Sequence, residues 1–287
     1  MSNCPVCQSE RSRIFANLAT PYGDRRERYN IHVCARCAHG FAIGRQDQSF
    51  LSAIYSDGFH ETSQQDILEV VSPVHSNALQ RVQWLLLRGA SGRLLDVGCG
   101  KGAFVDAAAG RFDASGLELS HGAVQASQLR GLNVRQGDFL DTEFSDAPFN
   151  VITFWDVLAS FSDVRAVFQK AATLLGPSGL VVASVPMIDS LVARLFRSRW
   201  PLMIPPVNLH YFSHRSIALL AASSGFDVIE TRTMAKRVAL NFLLLKAARS
   251  ARQFRMAEWL EKNSPSWPVS VNTHDIAYVI FRRAEIG

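Results

Sequence analysis

Leu94-Leu95-Asp96-Val97-Gly98-Cys99-Gly100-Lys101-Gly102 decides the fold of this chain. An apolar run carrying one acid ends in three alternating glycines, and Ala103 to Ala109 then reads as helix. Glycines permit a tight turn and let a ligand approach the backbone. The following helix start offers unpaired N–H donors.

Outward from this turn, strand and helix patterns alternate. Arg93 to Val97, Ala114 to Leu117, Asn133 to Arg135, Asn150 to Phe154, Leu180 to Val185, Phe226 to Thr231 and Ile276 to Phe281 read as strands. Ala103 to Ala109, Ala123 to Leu129 and Val164 to Leu174 read as helices between them, and Val74 to Leu87 as a helix leading in. Strands joined by crossover helices give an α/β fold with a mostly parallel sheet covered by helices on both faces. The catalytic domain is expected over residues 74–287, with an insertion at about 186–212 and a long extra helix at about 237–262.

Two more acids follow the glycine turn at useful spacing. Glu118 ends the next strand, where it can accept hydrogen bonds from ribose hydroxyls, and Asp138 in Gly137-Asp138-Phe139 can meet an adenine amino group. The plain alternatives are a nicotinamide dinucleotide in the glycine turn, a solvated strand end for Glu118 and a turn cap for Asp138. Cys99 reads as a small packing residue.

Asp96 to Gly102, Gly116-Leu-Glu-Leu-Ser120, Gly137-Asp-Phe-Leu140 and Phe149 to Leu158 together resemble the successive motifs of class I S-adenosylmethionine-dependent methyltransferases. The resemblance spans roughly residues 74 to 235. It implies a Rossmann-like seven-stranded sheet with an antiparallel final strand, and S-adenosylhomocysteine as coproduct. Asp96, Gly98, Cys99, Gly100 and Gly102 would hold the methionine part, Glu118 the ribose, Asp138 and Phe139 the adenine, with Leu119 as a further cofactor contact. Trp155 would lie near the sulfonium, whose charge an aromatic face attracts. Ala159-Ser160 stands where members often carry Glu-His, so no catalytic role falls on that segment.

Cys4-Pro-Val-Cys7 and Cys34-Ala-Arg-Cys37 form two C-x-x-C pairs separated by 26 residues. This is the pattern of a zinc ribbon, in which each pair offers two sulfurs to one tetrahedral ion and four thiolates close the shell around a structural Zn2+. Two disulfides, or His32 or His39 replacing one cysteine, are the lesser alternatives. The ribbon is expected over residues 1–43, with a connector at 44–73. Ribbon, aromatic connector and catalytic domain together loosely resemble bacterial methyltransferases of sugars and natural-product intermediates.

The formal charge of +5 is mild and its arginines are scattered. That makes nucleic acid a minor prospect and leaves acidic substrates such as nucleotide-linked or phosphorylated compounds open, and the charge alone does not choose between them; a small-molecule acceptor is the expected partner. The first ten residues lack the features of a secretory signal and no apolar run approaches bilayer length, so a cytoplasmic protein is expected. The basic stripe near Arg249 and Arg252 reads as a solvated helix face rather than a membrane contact.

Within Asn208-Leu-His-Tyr-Phe-Ser213, Ser213 should cap a helix, leaving His210 and Tyr211 just before it as candidate catalytic or acceptor-contacting residues. A loop histidine that only fastens the insertion is the bland alternative. Thr153-Phe-Trp-Asp156 does not resemble the Asn/Asp-Pro-Pro-Tyr/Phe sequence of many amide and nucleobase N-methyltransferases, so oxygen or carbon is the expected acceptor atom. The rivals are an RNA methyltransferase gripping its substrate with the ribbon, and a non-catalytic binding module.

Overall fold

The computed structural model describes residues 3–20, 27–55, 74–241, 244, 259 and 267–284. Three N-terminal strands, β1 (Ser12–Thr20), β2 (Glu27–Cys34) and β3 (Gly40–Ile43), form an antiparallel sheet, followed by α1 (Gln48–Tyr55). Helix α2 (Val74–Leu86) then leads into β4 (Arg93–Val97), α3 (Ala103–Ala108), β5 (Asp113–Glu118), α4 (His121–Gln128), β6 (Val134–Gln136), β7 (Phe149–Phe154), α5 (Val164–Leu174) and β8 (Leu175–Pro186). The insertion holds α6 (Leu191–Phe196) and the two-residue strand β9 (His210–Tyr211). It is followed by α7 (His214–Ser223), β10 (Phe226–Arg232), a small hairpin of β11 (Lys236–Ala239) with β12 (Pro268–Val271), and β13 (Ile276–Arg283).

Seven strands make the main sheet in the order β10-β13-β8-β7-β4-β5-β6. Strands β8, β7, β4, β5 and β6 are parallel, and β13 runs antiparallel to both its neighbours. Leu94, Leu95, Ile152, Val181 and Val182 are all fully buried, which is why their strands read as continuous apolar runs: helices cover both faces. Helix α5 shows how one face is covered. Asp163 accepts from the N–H groups of Arg165 and Ala166, and Val164, Val167, Phe168 and Ala171 line its buried side at helical spacing. Phe168 meets Phe226 and Phe281 edge-on at 5.5 and 4.9 Å, fixing α5 to the β10-β13 edge.

Two expectations differ from the structure. The stretch from Arg237 does not begin as helix: its first residues pair as a strand, Lys236 opposite Val271 and Arg237 opposite Ser270. Leu240, Asn241, Leu244 and Trp259 are helical, and the rest of the expected helix lies outside the described residues, as do connector positions 56–73. The ribbon segment is also not set apart from the catalytic domain. Strand β9 from the insertion joins its sheet, Gly40 opposite Tyr211 and Phe41 opposite His210. Neither partner of that pairing can be seen from local periodicity.

Candidate functional site

Strand β4 lies between β5 and β7, the point at which the sheet's strand order reverses, and ligands of such sheets bind beyond the strand ends there. A cavity of about 380 Å³ occupies that place. Asp96, Gly98, Cys99, Gly100, Glu118, Leu119, Asp138, Phe139 and Trp155 all line it. Gly102 stands just behind as the N-cap of α3 at φ 78. Gly98 has φ +70, and a Cβ there would lie 2.7 Å from Val157 Cγ2, so the turn that opens the cavity needs glycine.

Glu118 knits the turn together. Its Oε2 accepts from Gly100 N–H at 2.8 Å, while Oε1 accepts from Leu119 and Ser120 N–H at 2.8 and 2.9 Å. Asp138 accepts from Leu140 N–H at 2.8 Å, and Phe139 packs edge-on against Phe154 at 5.4 Å. Asp96 is buried and accepts from Thr153 Oγ1 at 2.7 Å. Burial pushes its carboxyl up to about 7. Cys99 packs against Gly116, where a Cβ would come within 2.6 Å of its sulfur, and burial raises its thiol well above the usual range. Its sulfur packs at the base of the glycine turn.

Trp155 lies in the cavity wall, but its face is taken. The Arg81 guanidinium sits 4.7 Å from its ring centroid, so the cation–π partner in this structure is a side chain. Arg81 donates to Asp156 Oδ2 at 2.7 Å, and Lys236 donates to Oδ1 and Oδ2 at 3.0 and 3.1 Å. Burial works against the charge on Asp156, yet Lys236 and Arg81 outweigh it and hold the carboxyl below the ordinary carboxylate range. None of these three was singled out from the sequence. Asp156 lies within a quoted motif, but its partners come from α2 and β11, and no local signal joins them.

His210 and Tyr211 require correction. Neither lines the cavity; both are buried in the N-terminal sheet. His210 Nδ1 lies 3.0 Å from His39 Nε2, and burial pushes its imidazole down to about 4. The Tyr211 hydroxyl donates to the Asn208 carbonyl at 2.9 Å. These residues fasten the insertion to the N-terminal sheet, and no histidine lines the cavity among the described residues. Ser160, at the position that lacks the Glu-His pair, donates to the Val207 carbonyl at 2.7 Å and so ties the insertion to the cavity wall.

The four N-terminal cysteines converge. Their sulfurs all lie within 4.8 Å of one another, with Cys4–Cys37 at 3.6 Å and Cys7–Cys34 at 3.5 Å. A tetrahedron with zinc–sulfur bonds of about 2.3 Å has edges near about 3.8 Å, whereas a disulfide needs about 2.05 Å, so the set fits one zinc ion. The two knuckles share one backbone design. Gln8 N–H bonds the Cys4 carbonyl and Ala38 N–H that of Cys34, with left-handed φ at Gln8 and Ala38. Cys4 N–H likewise reaches the Ser9 carbonyl and Cys34 N–H that of His39. His32 and His39 are engaged elsewhere, with Ser12 and with His210 and Ser216.

An α/β enzyme with its nucleotide-type site at the strand-order reversal is the class that fold and site define. The family described as methyltransferase domain matches residues 74–231. The chain belongs to that family, as an S-adenosylmethionine-dependent methyltransferase. It is similar to the ubiquinone biosynthesis O-methyltransferase of Thiobacillus denitrificans, 31% identical over 180 residues, covering 56% of this chain and 77% of the relative. The protein of that name from Paracidovorax citrulli is 26% identical over 186 residues, covering 59% and 78%. Among solved structures, magnesium protoporphyrin IX methyltransferase from Synechocystis PCC 6803 with bound SAH shares the fold at TM-score 0.54 and 14% identity, covering 83% of this chain and 100% of that one. No helix among the described residues is long and apolar enough to cross a membrane.

Proposed function

We propose that this methyltransferase moves the methyl group to an oxygen of a small-molecule acceptor, with carbon as the other acceptor atom of the same chemistry. The observation that carries this reading is the convergence of Asp96, Gly98, Gly100, Glu118 and Asp138 on one cavity. The O-methyltransferase names of the relatives support oxygen. A sugar or another natural-product intermediate is the acceptor class we favour, in the cytoplasm, with neither nucleic acid nor membrane as the target.

In this reading Asp96 and the Gly98–Gly102 turn hold the methionine part of the cofactor, Glu118 the ribose, and Asp138 with Phe139 the adenine, with Leu119 as a further contact. When bound, S-adenosylmethionine supplies an electrophilic methyl group on a sulfonium. The chain's own contribution is to align the acceptor in line with that group and to keep water out, with Trp155, Phe161 and Val207 as apolar walls. Cys4, Cys7, Cys34 and Cys37 hold a structural zinc whose sheet braces the insertion.

Calorimetric titration of the zinc-replete protein with S-adenosylhomocysteine, with NADH in parallel, tests the reading. One-to-one binding of the first alone is expected. Binding of NADH alone overturns the cofactor assignment, and binding of neither favours a non-catalytic module.

A further inference from the structure

The turn after β6 carries both Asp138 and Phe139 into the cavity wall. Its own bonds close it tightly: the Asp138 carbonyl accepts from Thr142 N–H at 2.9 Å and from Thr142 Oγ1 at 2.6 Å. A Cβ on Gly137 would run into that hydroxyl, so the closure needs glycine there. Phe139 seats one side of the turn in the core against Phe154. On the other side the carbonyls of Leu140 and Thr142 need partners from outside the turn.

Lys170 of α5 is that partner. Its Nζ donates to the Leu140 and Thr142 carbonyls, both at 2.7 Å, and lies 5.8 and 5.7 Å from the ring centroids of Phe139 and Phe144. These are short, charge-assisted bonds, stronger than neutral ones. Helix α5 gives the grip a fixed base. Val167 and Ala171, on either side of Lys170 along the helix, are fully buried, and Phe168 is wedged against β10 and β13. Leu140 is thereby held at both ends, its carbonyl by Lys170 and its N–H by Asp138 Oδ1 at 2.8 Å. The direction of the Asp138 carboxylate is set from α5 through this one residue.

We propose that Lys170 is a positioning residue for the adenine end of the cofactor site. By clasping the Leu140 and Thr142 carbonyls it aims the Asp138 carboxylate, and so sets a preference for a 6-aminopurine over a 6-oxopurine. This rests on the methyltransferase reading and on the adenine role of Asp138. Lys170 itself does not line the cavity and acts only through the turn. A carboxylate accepts from an exocyclic NH2, whereas a 6-oxo group in the same place sets oxygen against oxygen. That difference is felt in full only while the carboxylate is held still. A loosened turn lets Asp138 swing away, and both the gain and the penalty shrink.

The test is calorimetry of the full-length zinc-replete protein with S-adenosylhomocysteine and with S-inosylhomocysteine, its 6-oxo analogue. The wild type should bind the amino compound about tenfold or more tighter. In Lys170→Met the ratio should fall to about threefold or less, mainly through weaker S-adenosylhomocysteine, and Lys170→Arg, which keeps the charge and the donors, should restore most of it. Asp138→Asn should lower the ratio as well, and adding Lys170→Met to it should change the ratio little further, because the lysine acts through the carboxylate. Should Lys170→Met not fold, Lys170→Gln, shorter and uncharged, is read in the same way. A ratio unchanged in a folded variant of lowered stability makes Lys170 a plain structural staple and overturns the proposal. A wild type that binds both compounds alike overturns it too, while leaving the cofactor reading intact. A wild type that binds neither compound overturns the cofactor reading, and the proposal falls with it.

Discussion

Glu118→Gln is the most searching single substitution in the cofactor site, because shape is nearly kept while charge and one acceptor are removed. The carboxylate serves two sides: Oε2 takes Gly100 N–H in the glycine turn, and Oε1 takes Leu119 and Ser120 N–H at the end of β5. Glutamine has one acceptor oxygen and an NH2 donor, so whichever way it turns, at least one backbone N–H faces a donor. Leaving a donor unsatisfied costs about 1 to 3 kcal/mol, and this cost should appear in urea denaturation of the free protein. The cofactor loses a charge-assisted acceptor for its ribose, about 1.5 to 3 kcal/mol, which corresponds to about 10- to 150-fold in affinity for S-adenosylhomocysteine by calorimetry. Stability and affinity should fall together, with far-UV circular dichroism unchanged. Affinity unchanged in a variant whose stability has fallen would refute the ribose role and leave Glu118 as a purely structural tie.

Burial raises the Asp96 carboxyl to about 7, so the folded chain holds that proton more tightly than the unfolded one. The stability gained is full below about pH 4 and is lost as pH rises through about 7, and Asp96→Asn should flatten this slope in urea midpoints from pH 4 to 8. Titrating the native protein with a thiol-modifying mercurial should release about one zinc per chain, read with a metallochromic dye, and Cys37→Ser should release less and lower the melting temperature. Ser213 caps α7 and also donates to the Cys37 carbonyl at 2.7 Å, so Ser213→Ala should cost about 0.5 to 2 kcal/mol or more in chemical denaturation. Trp200→Phe removes an indole N–H donated at 2.7 Å to buried Asp275. It should destabilise the fold by about 1.5 to 3 kcal/mol, and Trp200→Phe with Asp275→Asn should cost less than the two single changes added together.

What is written locally could be read from the amino-acid sequence. Apolar runs marked the strands of the main sheet, most plainly at its centre, since a strand buried on both faces must be apolar throughout its length, whereas the edge strands β10 and β6 are partly exposed. The glycine turn, Glu118 and Asp138 were legible because each ends or closely follows its strand, and parallel strands bring their ends together at one edge of the sheet. The two C-x-x-C pairs were legible for a similar reason: the knuckle is a local turn, repeated with the same backbone bonds at Cys4 and Cys34. Tertiary structure decided the rest. His210 looked like a base by its pKa range and its place before a helix cap, but β-pairing with Phe41 buries it beside His39. Trp155 looked open to a cation, and Arg81, 74 residues earlier in the chain, covers its face. Arg81, Asp156 and Lys236 became one group only when α2, the end of β7 and the β11 hairpin were folded together. Charge attraction at about 3 Å depends on distance in space, and no spacing along the chain encodes that distance.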